Sequence, residues 1–197
     1  LWFEPESVSP DSALYRQHPD WALHDVLGRE DLLGRHQQLL DLTKPEVRDY
    51  LVESVGGILD SAPISYVKWD MNRSITECGS SGWGPEHQGE IFHRYILGVY
   101  SLYERLTSEF PNILFESCAS GGGRFDPGMF YYAPQCWTSD DSDGGERLRI
   151  QYGTSYAYPV SFMGSHVSIA PNHQIFRNTS LKLRGDVAYF GTFGYEL

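Results

Sequence analysis

The sequence predicts an α/β fold of parallel strands joined by helices, and three observations carry that expectation. Six short runs rich in apolar and β-branched residues punctuate the chain, at 1–6, 64–70, 113–118, 135–140, 160–168 and 187–195, each of strand length. Longer stretches with helical periodicity separate several of them, and strand–helix–strand order means parallel strands linked by right-handed crossovers. Glu4, Asp70, Cys118, Asp140 and His166 all stand at or near the C-terminal ends of these runs, where a β/α barrel carries its functional groups.

A doubly wound sheet is the competing architecture. It would show a glycine-rich phosphate turn after its first strand, and residues 1–6 are followed by none. The expectation is therefore a TIM-type (β/α)8 barrel. Closing one takes eight strands, and six runs are present. Residues 1–197 are thus expected to form a partial barrel of about six βα units, strands 3 to 8, as one catalytic domain. Both ends of the sequence fall in strand-like residues, so about two βα units are expected to precede it.

The connecting elements follow in order. Thr43 before Lys44-Pro45-Glu46 reads as a helix start, with a capping side chain, then Pro in the first turn, then Glu. Val47, Tyr50, Leu51, Val55, Ile58 and Leu59 then fall on one helical face, which Gly56-Gly57 weakens late in the helix. Residues 87–110 form a second amphipathic helix with Ile91, Tyr95, Val99, Leu102 and Leu106 as its buried stripe. A third, shorter helix covers 143–156. A further one is expected around 180–184, with Asp186 after it. There is no internal repeat or clear linker.

Composition narrows the function. The chain is 41% hydrophobic and 14% aromatic, which places it among globular proteins. A net charge of −11 argues against a nucleic-acid partner, because phosphate binding needs clustered Lys and Arg. No apolar run reaches the length of a membrane span. Three cysteines do not make a disulfide framework, and no signal peptide is visible; a cytoplasmic location is favoured. The seven histidines offer no metal-ligand spacing.

The segment Val67-Lys68-Trp69-Asp70-Met71-Asn72 carries the most chemistry. Strand alternation sends Lys68, Asp70 and Asn72 to one side. A carboxylate flanked by a cation and an amide would stay ionised, as a nucleophile must; a structural ion pair is the alternative. The segment Trp137-Thr138-Ser139-Asp140-Asp141-Ser142-Asp143 ends another strand in three acids. Asp141, Ser142 or Asp143 can cap the helix that follows, which leaves Asp140 as the strand-end carboxylate. If Asp70 and Asp140 face each other, they form the pair that glycoside hydrolysis requires.

Together with these two segments, Leu1-Trp2-Phe3-Glu4-Pro5-Glu6 and Glu116-Ser117-Cys118-Ala119-Ser120-Gly121-Gly122-Gly123-Arg124 resemble glycoside hydrolase family 36, the microbial α-galactosidases or melibiases. The resemblance runs over essentially the whole chain. It implies a barrel that retains anomeric configuration, with Asp70 as nucleophile and Asp140 as acid/base, no metal and no cofactor. It also implies that Arg35, Lys68 and Asn72 hydrogen-bond the galactose, that Cys118 and Gly121 lie near its C2 hydroxyl, and that Trp137 belongs to the substrate site. The family's paired aspartates and Trp that grip the C4 and C6 hydroxyls have no counterpart in this sequence. The implied partners are α-galactoside oligosaccharides of the melibiose and raffinose type, and the full-length protein is expected to be a homo-oligomer. A raffinose-synthase-type galactosyl transferase, an α-N-acetylgalactosaminidase and a non-catalytic sugar-binding module are the other readings. A phosphate-cradling role for Gly121-Gly122-Gly123 ranks low, since Arg124-Phe125-Asp126-Pro127 follows in place of a helix start and Lys.

Overall fold

A computed structural model describes residues 1–196. The chain divides into two compact units, Leu1–Ile113 and Leu114–Leu197.

The first unit runs β1 (Trp2–Phe3), β2 (Ser7–Val8), α1 (Ala13–Gln17), β3 (Gln38–Leu39), α2 (Pro45–Asp60), β4 (Tyr66–Trp69) and α3 (Ile91–Glu109), with 3-10 turns at Pro19–Trp21 and Pro85–Glu90. Strands β1 and β4 are parallel, Trp2 opposite Lys68 and Phe3 opposite Trp69, and α2 lies in the crossover between them. The ladder extends past the named strand: Lys68 N–H donates to the Leu1 carbonyl and Asp70 N–H to the Phe3 carbonyl, both at 2.8 Å. This places Asp70 one residue beyond β4. A short antiparallel pair, β2 with β3, sits in the long β1-to-α2 connection and was not expected.

Helix α2 starts where the Pro45 signal predicts, but not with the predicted cap. Lys44 is the N-cap residue and makes no side-chain capping bond. The Thr43 hydroxyl instead donates to Asp41 Oδ1 at 2.6 Å, because buried Asp41 needs donors more than the helix start does. On α2, Val47, Leu51, Val55 and Leu59 are buried as expected, with Val52 and Gly56 beside them. Tyr50 and Ile58 are exposed, since they lie at the margin of the stripe. The α3 stripe of Ile91, Tyr95, Val99, Leu102 and Leu106 is buried throughout, but its first predicted turn is 3-10. Trp69, Tyr95 and Tyr103 are the largest aromatic groups of this core. Burying such side chains contributes on the order of 1.5–3 kcal/mol each.

The second unit runs β5 (Leu114–Ser117), α4 (Pro127–Tyr132), β6 (Gln135–Cys136), α5 (Gly144–Ser155), β7 (Gly164–Ser168), α6 (Leu181–Ala188) and β8 (Thr192–Glu196). Strands β5 and β6 are parallel, Cys136 bridges in parallel to Met163 just before β7, and β7 and β8 pair in parallel over five residues. Strands consecutive in sequence are therefore neighbours in space, with a helix between each pair.

Several predicted strands are trimmed: β6 ends at Cys136, leaving 137–140 as a loop, 160–162 is a 3-10 turn, and Val187 and Ala188 complete α6. Asp186 consequently lies inside α6 rather than after it, where Lys182 Nζ donates to it at 2.5 Å across one helical turn. Among the described residues, no helix is long and apolar enough to cross a membrane.

Candidate active site

In the first unit the predicted residues gather around Asp70. Its side chain is buried and accepts from several donors. Asn72 Nδ2 donates to Oδ2 at 2.7 Å, Trp2 Nε1 to Oδ2 at 3.2 Å, and the Met71 backbone N–H to Oδ1 at 2.9 Å. Lys68, half-buried, stands two residues earlier on the strand. Val67 and Trp69 alternate with it and are buried, which fixes the face that Lys68 presents.

Arg35 belongs to a separate turn. Gly34 and Gln37 exchange backbone hydrogen bonds of 3.2 and 2.9 Å, and Arg35 and His36 between them have φ of 55° and 59°. Such tight hairpins normally place Asn-Gly at these positions, and two L-residues there cost roughly 1–2 kcal/mol each. Arg73, buried, braces the turn from beneath. Its guanidinium donates to the Gln37 carbonyl at 3.0 Å, the Leu32 carbonyl at 2.6 Å, Glu77 at 2.6 Å and the Ser74 carbonyl. The residue after Asn72 thus ties the exit of β4 to the Arg35 turn. Reading the sequence gave no role to Arg73, because its partners lie up to 41 positions away.

In the second unit Cys118, Gly121, Trp137 and Asp140 converge. Ala119 N–H donates to the Gly121 carbonyl at 3.0 Å and Gly123 N–H to the Ala119 carbonyl at 3.2 Å, so the Ser120–Gly123 stretch doubles back. Ser120 and Gly121 have φ of 48° and 80°. A Cβ on Gly121 would lie 2.6 Å from Asp140 N, and one on Gly122 would run into the Thr138 carbonyl oxygen. Backbone meets backbone here, which only glycine permits. Asp140 is exposed and Cys118 buried. A helix does follow the glycines, but it starts at Pro127, and the Asp126 carboxylate already accepts its first free amides at 2.9 and 3.2 Å. That occupies the amides a phosphate would use.

Trp137 is buried, with the Arg147 guanidinium 4.1 Å above its ring and the His166 ring tilted against it at 4.4 Å. Arg147 also donates to Thr138 Oγ1 and to the Gly164 carbonyl at 3.2 Å. Burial pulls its pKa down to about 10 against the attraction of Glu196, Asp141, Asp140 and Glu116, so it remains a cation at neutral pH. Arg147 is a second residue the sequence reading missed, as an ordinary helical Arg on α5. Asp143 proves to be the α5 cap, accepting from Gly145 and Glu146 N–H at 2.9 and 3.0 Å. That leaves Asp140 outside the capping role. Cys136, beneath this loop, is pushed up to about 12 by burial and is no nucleophile. Among the described residues no His, Cys, Asp and Glu cluster could hold a metal ion.

Parallel strands joined by helices, with Asp70 one residue past β4 and Asp140 in the loop after β6, make this an α/β protein. The melibiase family model matches residues 1–197, and the chain belongs to that family. It is 60% identical over its whole length to α-galactosidase AgaA of Geobacillus stearothermophilus, of which it covers 27%, and 52% identical to α-galactosidase Mel36A of Lactobacillus acidophilus, again covering 27%. The crystal structure of the Lactobacillus brevis α-galactosidase superposes on the entire chain with a TM-score of 0.97 at 61% identity, over 26% of that protein. The chain thus spans about a quarter of the length of the relatives it matches.

Proposed function

We propose that this chain is the catalytic part of a retaining α-galactosidase, carried on strands of a partial (β/α)8 barrel. The observation that carries this reading is the Asp70 carboxylate, buried at the end of a parallel strand and accepting from Asn72, Trp2 and the Met71 backbone. A carboxylate surrounded by donors serves as an ionised acceptor and nucleophile rather than as an acid. Asp140 lies four residues past β6 (Gln135–Cys136), exposed to solvent, where proton exchange with water is open to it. Named members of the family are α-galactosidases, and an AgaA variant has been crystallised in complex with raffinose, which supports the activity proposed.

In this mechanism Asp70 attacks the anomeric carbon of a terminal α-linked galactose while Asp140 protonates the departing glycosidic oxygen. The covalent galactosyl-enzyme forms through an oxocarbenium-like transition state. Asp140, now a base, takes a proton from water, which displaces Asp70 and releases galactose with its configuration retained. Arg35, Lys68 and Asn72 hold the sugar by hydrogen bonds, and Cys118 and Gly121 border its C2 hydroxyl, with Trp137 behind the Asp140 segment. The two carboxyls are expected about 5–5.5 Å apart in the whole enzyme.

The test is Asp70→Ala in the protein that carries this chain. Its kcat/KM on nitrophenyl α-galactoside should fall by about 10⁴-fold or more, with azide restoring part of the activity as the β-galactosyl azide. Wild-type turnover by the variant would overturn the assignment.

A further inference from the structure

We infer that Glu4, which the mechanism above does not use, is a positioning residue for the nucleophile and acts through Asn72. The inference rests on Asp70 being that nucleophile. Strand β1 supplies the parallel ladder for β4 up to Asp70, whose N–H donates to the Phe3 carbonyl at 2.8 Å. Two residues on, at the next outward N–H of this edge, the acceptor changes. The Asn72 N–H donates to Glu4 Oε1 at 3.1 Å. A side chain of β1 thus takes over from its backbone where the chain leaves the strand.

That bond fixes the peptide from which the Asn72 side chain springs. From there Asn72 Nδ2 reaches back to Asp70 Oδ2 at 2.7 Å, while Met71 N–H holds Oδ1 at 2.9 Å. The Asp70-Met71-Asn72 turn is therefore pinned at both ends, by the Phe3 carbonyl at its start and by Glu4 at its finish. Glu4 itself is half-buried. Its neighbour two positions on, Glu6, does the corresponding work in the core, where it is buried: Trp69 Nε1 donates to it at 2.8 Å and the Tyr95 hydroxyl at 2.7 Å. Glu4 and Glu6 so anchor the segment after β1 at two places, and Glu4 accepts from the turn that orients the reacting carboxylate. What Asn72 needs from position 4 is an oxygen acceptor at the reach of a Glu side chain, not a negative charge.

Two near-isosteric changes in the whole protein separate those properties. Glu4→Gln keeps reach and acceptor and removes the charge; Glu4→Asp keeps the charge and withdraws the acceptor by one methylene. We expect Glu4→Asp to lower kcat by about 10–100-fold with KM changed less than about 3-fold, since a misplaced nucleophile costs the chemical step. Trapping by a 2-fluoro galactoside should slow in proportion. Glu4→Gln should recover most of that loss. In an Asn72→Ala background Glu4→Asp should cost almost nothing more, because the two residues act in series.

Equal kcat for the Gln and Asp variants, a larger loss for Gln than for Asp, or additive losses with Asn72→Ala would each overturn the inference. An Asp70→Ala enzyme that turns over normally would remove the mechanism and this inference together. An Asp70→Ala enzyme that is inactive and azide-rescued, beside an unaffected Glu4→Asp, would remove only the role of Glu4.

Discussion

The two carboxylate sites are held in opposite ways. Asp70 is buried and pinned through its own side-chain oxygens, with donors from Asn72, Trp2 and Met71 converging on it. Asp140 is exposed, and the backbone around it is closely packed: Gly121 and Gly122 press against residues 138–140, and Arg147 grips Trp137 and Thr138. The contrast fits the division of labour in double displacement. A nucleophile forms a bond at one point and gains from a fixed, ionised oxygen pair. An acid/base must give up a proton and take one from water in each cycle, so a fixed backbone with an exposed side chain suits it.

If the backbone is what holds Asp140, changes to its support should matter more than their distance from the chemistry suggests. The largest effect is expected from Arg147→Met, which leaves the Gly164 carbonyl without its donor and removes the cation from the Trp137 ring. It should lower stability by about 2–4 kcal/mol, read as a shift in the urea midpoint at unchanged slope. A loss under about 0.5 kcal/mol would break the comparison.

Gly121→Ala comes next. At φ of 80° with a Cβ 2.6 Å from Asp140 N, the variant must shift the Asp140 segment, and kcat should fall about 10²-fold. The loss should be greater on raffinose, whose leaving group needs protonation, than on a nitrophenyl galactoside, whose leaving group does not. Equal losses on both substrates would mean that the displaced group is not the acid.

The smallest effect concerns the loop that leads to Arg35 in the first unit. His24 Nδ1 lies 2.5 Å from Asp31 and Nε2 3.0 Å from the Pro19 carbonyl, and both partners accept, so the doubly protonated ring fits best. Burial opposes the charge, but the hydrogen bonds to Asp31 and Pro19 outweigh it and raise the pKa. The stabilisation is therefore full below the ordinary His pKa of about 6.5 and is lost as pH rises through the higher folded value. The Tm difference between wild type and His24→Gln should shrink over that window. A difference that grows with pH would show the ring to be neutral in the fold.

Much of this was legible in one dimension. Periodicity located the six parallel strands and the three main helices, though not their exact ends, because burial on one face repeats with the geometry of the element. Asp70, one residue past β4, was visible because it ends an apolar strand-length run, whereas the run to Asp140 continues past β6 as a loop. The α2 cap was misread because Thr43 has a better use, donating to Asp41, and no local rule anticipates a competing buried acceptor. The short β2–β3 pair was missed since two-residue strands leave no periodic trace. Glu4, Arg73 and Arg147 went unassigned for a shared reason. Their partners are 68, 41 and 17 positions distant, and an ordinary Glu or Arg carries no mark of what it will meet.

The sequence by itself determined the alternation of strand and helix and the place of Asp70 just past β4, because each follows from local backbone geometry and side-chain period. Only the tertiary structure decided which groups hold the two acids in place. Hydrogen bonds such as Glu4 to Asn72 or Arg147 to Thr138 and Gly164 depend on distances that exist only once distant segments have packed.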